Sequence, residues 1–306
     1  MVIMDAKRIC SDLKRQIEDG HIKRANVHSV FNRAINLMYN HKIISILNDE
    51  EMMGPMTIVV DNKKLKELHI RQNDEVRFNE EKINFSNSEE VIFLQNCEPF
   101  NLSPNFSYTK DSVKNILSKL DTMEDTLYKL GNLDGIGSCI FNTSICKRKD
   151  RVLDEYSKFI LPRIKIFLDA CRDVDIQRIS RITNQIIGFG PGLTPSTDDF
   201  LLGVIISFIY LDKHFDLKME RFNRALVEDI ENKTTLLSEN LLYWAAKGKV
   251  GLPIKNVILS ILSKNNEAKL KDNLKNLLKV GGTSGTDISC GIYVAFKIIV
   301  ENGGVL

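Results

Sequence analysis

The sequence predicts an α+β protein, with a small antiparallel β-rich domain over residues 1–105 and a mainly α-helical domain over residues 106–306. In the first hundred residues, short apolar runs alternate with polar residues, which is the period of a half-buried strand. Beyond them, apolar residues recur every three to four positions, as on one face of a helix. A stretch containing Pro, Asn and Ser over residues 98–110 separates the two patterns and is the predicted linker.

Short strands dominate the first part. Turn-forming pairs such as Asn40-His41 and Gly54-Pro55 separate them, and their spacing of about 8 to 12 residues suits a small antiparallel sheet or open barrel. No intervening helix is long enough for parallel crossovers. An amphipathic helix over about residues 5–19 is predicted to precede them. The predicted strands are residues 34–39, 43–47, 57–60, 75–78, 82–85 and 91–94.

The second part is predicted to be helical, beginning near Ser112. Its longest apolar run, residues 200–211, is shorter than the roughly 20 residues that a membrane span needs, so it predicts a buried helix. Further predicted helices lie at about residues 152–171, 174–187, 196–212, 217–247, 253–264, 266–279 and 284–301.

Composition excludes several classes of protein. Lys and Arg together number 42 and Asp and Glu 40, a balance that argues against binding nucleic acid through its phosphates. The six cysteines are scattered, without the spacing of a zinc site or a disulfide framework. The N-terminus lacks the apolar core of a signal peptide. We therefore expect a cytoplasmic protein with reduced thiols and no membrane or nucleic-acid partner.

Two glycine-rich segments that run into apolar helices are the candidates for a functional site. Residues 188–203 read Gly-Phe-Gly-Pro-Gly-Leu-Thr-Pro-Ser-Thr-Asp-Asp-Phe-Leu-Leu-Gly, and residues 281–291 read Gly-Gly-Thr-Ser-Gly-Thr-Asp-Ile-Ser-Cys-Gly. We call them the first and the second glycine motif. Both contain Ser-x-x-Asp-x-x-x-Gly, and this shared pattern predicts that the two motifs meet in space.

One interpretation of the motifs is purely structural. Ser196 followed by Asp199 is close to a capping box, in which the hydroxyl and the acid satisfy free amides at a helix start. Gly203, four residues beyond Asp199, would let two helices approach closely. Because successive residues point about 100° apart around a helix, Asp198 is then predicted to be free to face the loop and its ligand.

The other interpretation is a ligand site. Successive N–H groups in a glycine loop at a helix N-terminus bind phosphate or carboxylate, and the glycines at 188, 190 and 192 exceed what a cap requires. The neighbouring acids would repel an anion unless Mg²⁺ bridges them, with Asp198 and Asp199 as candidate ligands, or unless they accept hydrogen bonds from an amide group. The sequence leaves these alternatives open, but it matches neither a P-loop nor a dinucleotide fold.

These segments, together with others in the same order along the chain, resemble the AllH family. The others are His28-Ser29 with Asn36, Gly54-Pro55 before a strand, and Thr235 and Ser238 with Ala245 and Gly248. Two positions depart from the family pattern. Thr197 stands where the family often has Gly, and Thr283 stands where it often has Ser or Gly, changes that could tighten or alter each loop.

The resemblance implies a subunit of oxamate carbamoyltransferase in anaerobic allantoin degradation, a branch of purine catabolism. That enzyme transfers a carbamoyl group between oxalurate and phosphate, giving oxamate and carbamoyl phosphate. AllF- and AllG-like subunits are the implied partners, and a carbamoyl phosphate or oxalurate-like anion is the implied substrate. Whether this chain is itself catalytic stays open, and the alternative is a non-catalytic assembly subunit whose glycine motifs only pack helices.

The candidate site residues follow from both the motifs and the resemblance. The candidate catalytic residues are Asp198, Asp199 and Asp287, and no cofactor is predicted apart from the possible Mg²⁺. The candidate substrate-binding residues are His28, Ser29, Gly190, Gly192, Thr194, Ser196, Ser238, Ser284 and Gly285.

Overall fold

The computed structural model describes residues 3–61, 64–104, 106–107, 109–148, 152–264 and 266–301. The chain divides into two compact units, Met1–Ser103 and Pro104–Leu306. Asn105, where the predicted first domain ends, and Tyr108 of the predicted linker lie outside the described residues.

The first unit is a nine-stranded, barrel-like sheet. Its elements are β1 (Ile3–Cys10), α1 (Ser11–Glu18), β2 (Arg24–Val30), β3 (Ala34–Tyr39), β4 (Lys42–Leu47), β5 (Thr57–Val60), β6 (Glu75–Phe78), β7 (Lys82–Phe85), β8 (Val91–Phe93) and β9 (Glu98–Phe100). The strand order in the sheet is β5-β4-β3-β2-β6-β7-β8-β1-β9, and an additional pairing of β5 with β1 joins strands from opposite parts of that order.

The pairing is mainly antiparallel, as predicted, but three pairs are parallel. Strand β4 pairs in parallel with β5, and β1 does so with β8 and β9. The predicted helix over residues 5–19 is wrong in its first half, because residues 3–10 form β1. Met4 and Ala6 point into the core while Asp5 and Lys7 are exposed, which is the period of a strand.

The second unit is helical. One of the predicted helices is wrong: residues 217–247 form two helices, α7 (Glu220–Ala225) and α8 (Leu236–Ala246), separated by turns in which Asp229 and Asn232 adopt positive φ angles. The helices are α2 (Val113–Leu130), α3 (Gly137–Phe141), α4 (Glu155–Arg172), α5 (Ile176–Ile186), α6 (Ser196–Phe215), α7 (Glu220–Ala225), α8 (Leu236–Ala246), α9 (Leu252–Leu262), α10 (Glu267–Leu278) and α11 (Ser284–Glu301).

Helices α6 and α11 cross at the centre of this unit. Both are buried along most of their length, and the crossing relies on Gly203 and Gly291. A methyl group added at Gly203 would lie 2.1 Å from the carbonyl oxygen of Ile288, and one at Gly291 would lie 2.1 Å from that of Phe200. The last glycine of each shared motif is therefore a packing residue. Among the described residues, no helix combines the length and apolar character needed to cross a membrane.

Candidate functional site

The first glycine motif forms a loop that leads into α6. The φ angles are 74° at Gly188, 131° at Gly190 and 100° at Gly192, values that residues other than glycine rarely adopt. A methyl group at Gly190 would also lie 2.6 Å from the amide nitrogen of Ser196. Both the backbone conformation and the close approach thus require glycine here.

Thr197 fixes this loop from inside α6. Its hydroxyl oxygen lies 2.6 Å from the carbonyl oxygen of Ile186 and 2.8 Å from that of Phe189, and it accepts a hydrogen bond from the Phe189 amide at 3.0 Å. Tyr156 supports the same turn, since its hydroxyl donates to the Phe189 carbonyl and its ring stacks on that of Phe189. Glycine at position 197 would remove these contacts, so Thr197 holds the loop in place.

Several amides of the loop lack partners. Within the part of the chain that the structure describes, the N–H groups of Gly190, Gly192, Leu193 and Thr194 make no hydrogen bond. Residues 191–193 are exposed. The loop therefore presents unsatisfied donors beside the start of a 20-residue helix, whose dipole favours negative charge.

Asp198 holds the loop to a neighbouring segment. One carboxylate oxygen accepts a hydrogen bond from the Gly188 amide at 2.6 Å, and the other accepts one from the Thr234 hydroxyl. Burial raises the pKa of Asp198, and the hydrogen bonds from Thr234 and Gly188 oppose that shift. The prediction that Asp198 is free to face a ligand is therefore wrong, because its oxygens are occupied by the protein.

Asp199 faces the second motif instead of capping its own helix. Helix α6 has Pro195 as its N-cap residue and begins at Ser196, without a side-chain cap, so the predicted capping box is wrong. The Asp199 carboxylate accepts a hydrogen bond from the Thr194 hydroxyl at 3.0 Å. Burial raises the pKa of Asp199 to about 7, although hydrogen bonds from Ser284 and Thr194 oppose that shift.

The two motifs meet, as predicted. The hydroxyl oxygens of Thr194 and Ser284 lie 3.2 Å apart, which is hydrogen-bonding distance. The Asp199 carboxylate is also close enough to Asp287 to raise the pKa of that acid. The structure thus brings Asp199, Asp287, Thr194 and Ser284 together at the starts of α6 and α11.

Asp287 is the most deeply buried of the three acids, with no exposed side-chain surface. Its Oδ1 atom accepts a hydrogen bond from the Ile136 amide at 2.8 Å, whereas its Oδ2 atom is buried and has no partner among the described residues. Burial raises its pKa to about 7, while the nearby Thr283 and Ser196 side chains oppose that shift.

A third glycine-rich segment, residues 131–137, completes the surroundings of Asp287. Its Asn132 amide donates to the Thr286 hydroxyl at 3.0 Å, and the Asn132 side chain donates to the Gly282 carbonyl at 3.2 Å. A methyl group at Gly135 would lie 2.4 and 2.5 Å from the two Asp287 oxygens. The sequence analysis missed this segment, although three glycines in the run Gly-Asn-Leu-Asp-Gly-Ile-Gly are a signal that could have found it.

The remaining predicted residues fall into different surroundings. Gly285 is a packing residue, because a methyl group there would lie 2.0 Å from the Leu277 carbonyl oxygen. His28 and Ser29 belong to the first unit, where the pairing of β2 with β3 shifts register between Val27 and Ser29. The Ser29 hydroxyl lies 3.2 Å from the His28 ring nitrogen and accepts a hydrogen bond from Asn36.

A metal centre receives no support from the geometry. Among the described residues, no group of three or more His, Cys, Asp or Glu side chains is arranged to hold a metal ion. The oxygens of Asp198 accept hydrogen bonds from an amide and a hydroxyl, and Asp199 accepts one from a hydroxyl. The Mg²⁺ interpretation therefore stays a prediction for a state that includes a phosphate ligand.

Comparison with known proteins gives two matches to family models. A model described as the AllH family N-terminal domain matches residues 5–99, and one described as oxamate carbamoyltransferase subunit AllH matches residues 186–296. Together the matches cover more than half of the chain, and the second contains both glycine motifs. No solved structure matches the chain.

Proposed function

The chain belongs to the AllH family of oxamate carbamoyltransferase subunits, and from that premise we propose that it supplies an anion-binding substrate site to a carbamoyltransferase. The observation that carries the proposal is a set of unpaired amides beside buried acids at the start of α6, namely those of Gly190, Gly192, Leu193 and Thr194. Such amides bind phosphate or carboxylate groups, both of which occur among oxalurate, phosphate, oxamate and carbamoyl phosphate.

The buried acids are compatible with this proposal because burial favours their uncharged, protonated form. With pKa values of about 7, Asp199 and Asp287 are partly protonated near neutral pH and repel an anion less than ordinary carboxylates do. A group with such a pKa is also suited to proton transfer at neutral pH. The proposed site can therefore hold an anion and exchange a proton with it.

The proposed reaction assigns Asp199 a specific task. A phosphate oxygen bonds to the carbamoyl carbon of oxalurate, the bond from that carbon to the oxamate nitrogen breaks, and this nitrogen takes a proton. Asp199 is the proposed proton donor, and Thr194 and Ser284 orient its carboxyl group. The loop amides hold the anionic group, so catalysis rests on positioning and charge stabilisation. Asp198 is a positioning residue for the loop.

A second candidate function is a non-catalytic assembly subunit. The observation that favours it is the close crossing of α6 and α11 at Gly203 and Gly291, which shows that part of each motif serves packing alone. The two candidates differ at the first loop, because packing alone does not require unpaired amides at Gly190 and Gly192.

Calorimetric titration of the purified chain separates the two candidates. We expect carbamoyl phosphate and oxamate each to bind one site, and Asp199→Asn to lower turnover in the complex assembled with AllF- and AllG-like subunits. Titrations with and without Mg²⁺ test the metal requirement. A complex in which Asp199→Asn has full activity, and a chain that binds none of these molecules, would favour the assembly function.

A further inference from the structure

The unpaired oxygen of Asp287 bears on which ligands the proposed anion site selects. A buried acceptor without a hydrogen bond destabilises a fold by roughly 1–3 kcal/mol, so such groups are uncommon in native structures. Asp287 is fully buried, and its Oδ2 atom has no partner in the described part of the chain. Its location at the start of α11, beside Asp199 and Ser196, places this acceptor next to the proposed anion site.

The surroundings fix the orientation of this carboxylate. The Ile136 amide binds Oδ1, and Gly135 leaves room for both oxygens where any larger residue would collide with them. Asn132 anchors the same segment to Gly282 and Thr286, both of which precede Asp287 in the sequence. Residues 131–137 therefore hold the Asp287 carboxylate in place, with Oδ1 bonded to the Ile136 amide and Oδ2 buried without a partner among the described residues.

We propose that Asp287 accepts a hydrogen bond from the N–H group of a carboxamide substrate through Oδ2, and that residues 131–137 position it for this task. This inference rests on the proposed function and names its substrate class: a small molecule that carries both an anionic group and a carboxamide. The loop amides of the first motif bind the anion, and Asp287 distinguishes the amide nitrogen from a methyl group. Sites built to bind an N–H group reject analogues that lack it.

Oxamate and pyruvate are the probes that test this inference, because they share a carboxylate and a carbonyl and differ in an amino or a methyl group. Calorimetric titration of the full chain at pH 8, where Asp287 is mostly charged, is expected to show oxamate binding at least about tenfold more tightly than pyruvate. In Asp287→Asn the available oxygen is replaced by an amide N–H donor, and the ratio is expected to fall to about one.

Two glycine variants provide the matched comparison. Gly135→Ala displaces the Asp287 carboxylate and is expected to abolish the preference for oxamate, whereas Gly282→Ala, where a methyl group meets nothing within 4 Å, is expected to keep it. Equal binding of both probes by the unmodified chain, or an unchanged ratio in Asp287→Asn, would overturn the inference while leaving the proposed site intact. Failure of oxamate, pyruvate and carbamoyl phosphate to bind at all would overturn the proposed function as well.

Discussion

The two glycine motifs share a sequence pattern but use it differently. In the first, Asp198 and Thr197 hold an open loop whose amides remain unpaired. In the second, Gly285 packs against the Leu277 carbonyl, and Asp287 bonds to a segment about 150 residues away in sequence. Only Gly203 and Gly291 perform the same task in both. Equal spacing therefore predicted that the motifs meet, but not what each residue does there.

The largest effect is expected at the feature that the motifs share. Gly203→Ala places a methyl group 2.1 Å from a backbone carbonyl, where neither helix can move without disturbing the core, so we expect a loss of about 3 kcal/mol or more in the free energy of unfolding. Urea denaturation followed by circular dichroism measures it. Gly282→Ala is the control and is expected to change stability by less than about 0.5 kcal/mol. Comparable losses in both variants would contradict the close crossing.

The buried acids at the motifs make the stability of the fold depend on pH. Because burial raises the pKa of Asp199 from its ordinary value of 3.8 to about 7, the folded state favours the protonated form. The associated stability is fully present below about pH 4 and is lost as the pH rises through 7, by an upper limit on the order of 4 kcal/mol.

Removing the titrating group should remove this pH dependence. We expect the melting temperature of Asp199→Asn to exceed that of the unmodified chain by an amount that grows between pH 5 and pH 8. Thermal melts of both proteins at several pH values measure this difference, since the other titrating groups are common to both. A difference that is constant with pH would show that Asp199 titrates in its ordinary range.

Asp198 and Asp199 provide a sharper comparison, since the structure reverses the roles that spacing suggested. Asp198→Ala removes the acceptor for the Gly188 amide and the Thr234 hydroxyl and is expected to lower stability by about 1–3 kcal/mol. Differential scanning calorimetry measures this loss. Addition of oxamate is expected to raise the melting temperature of this variant, because a ligand that binds only the folded state stabilises it. A variant as stable as the unmodified chain would show that Asp198 does not hold the loop and is free to contact a bound molecule, as the spacing predicted.

The sequence predicted most of the fold because the pattern of burial is local. Six predicted strands coincide with β3 to β8 within one residue at each end, since alternating apolar residues fill a half-buried sheet. Strand β1 was missed because Lys7 and Arg8 among apolar residues also fit a helix. The division of residues 217–247 depends on Asp229 and Asn232, whose left-handed conformations carry no clear sequence signal.

The candidate site was only partly predictable for a different reason. Ser-x-x-Asp gives a spacing but not the residue at which the helix begins, and a start at Ser196 shifts Asp199 away from the capping position. The contact of Asp287 with Ile136 joins distant parts of the chain, so no local pattern contains it. The roles of residues with distant partners could therefore be assigned only from the structure, whereas the proximity of the two motifs was predicted from the sequence.

The smallest effect is expected at Gly192, where the first motif is most open. A methyl group there meets only the Thr194 carbonyl oxygen, at 3.9 Å. The strain in Gly192→Ala therefore comes from the φ angle of 100° and not from a collision. Strain of this kind destabilises by about 1–3 kcal/mol when the backbone is held in place, but an exposed loop can relax and reduce that value. We therefore expect a loss of stability near 1 kcal/mol together with weaker oxamate binding, because relaxation turns the unpaired amides away from the ligand. Calorimetric titration and thermal melts measure the two effects on the same sample. Unchanged oxamate affinity in a variant with a shifted melting temperature would show that the ligand does not contact this part of the loop.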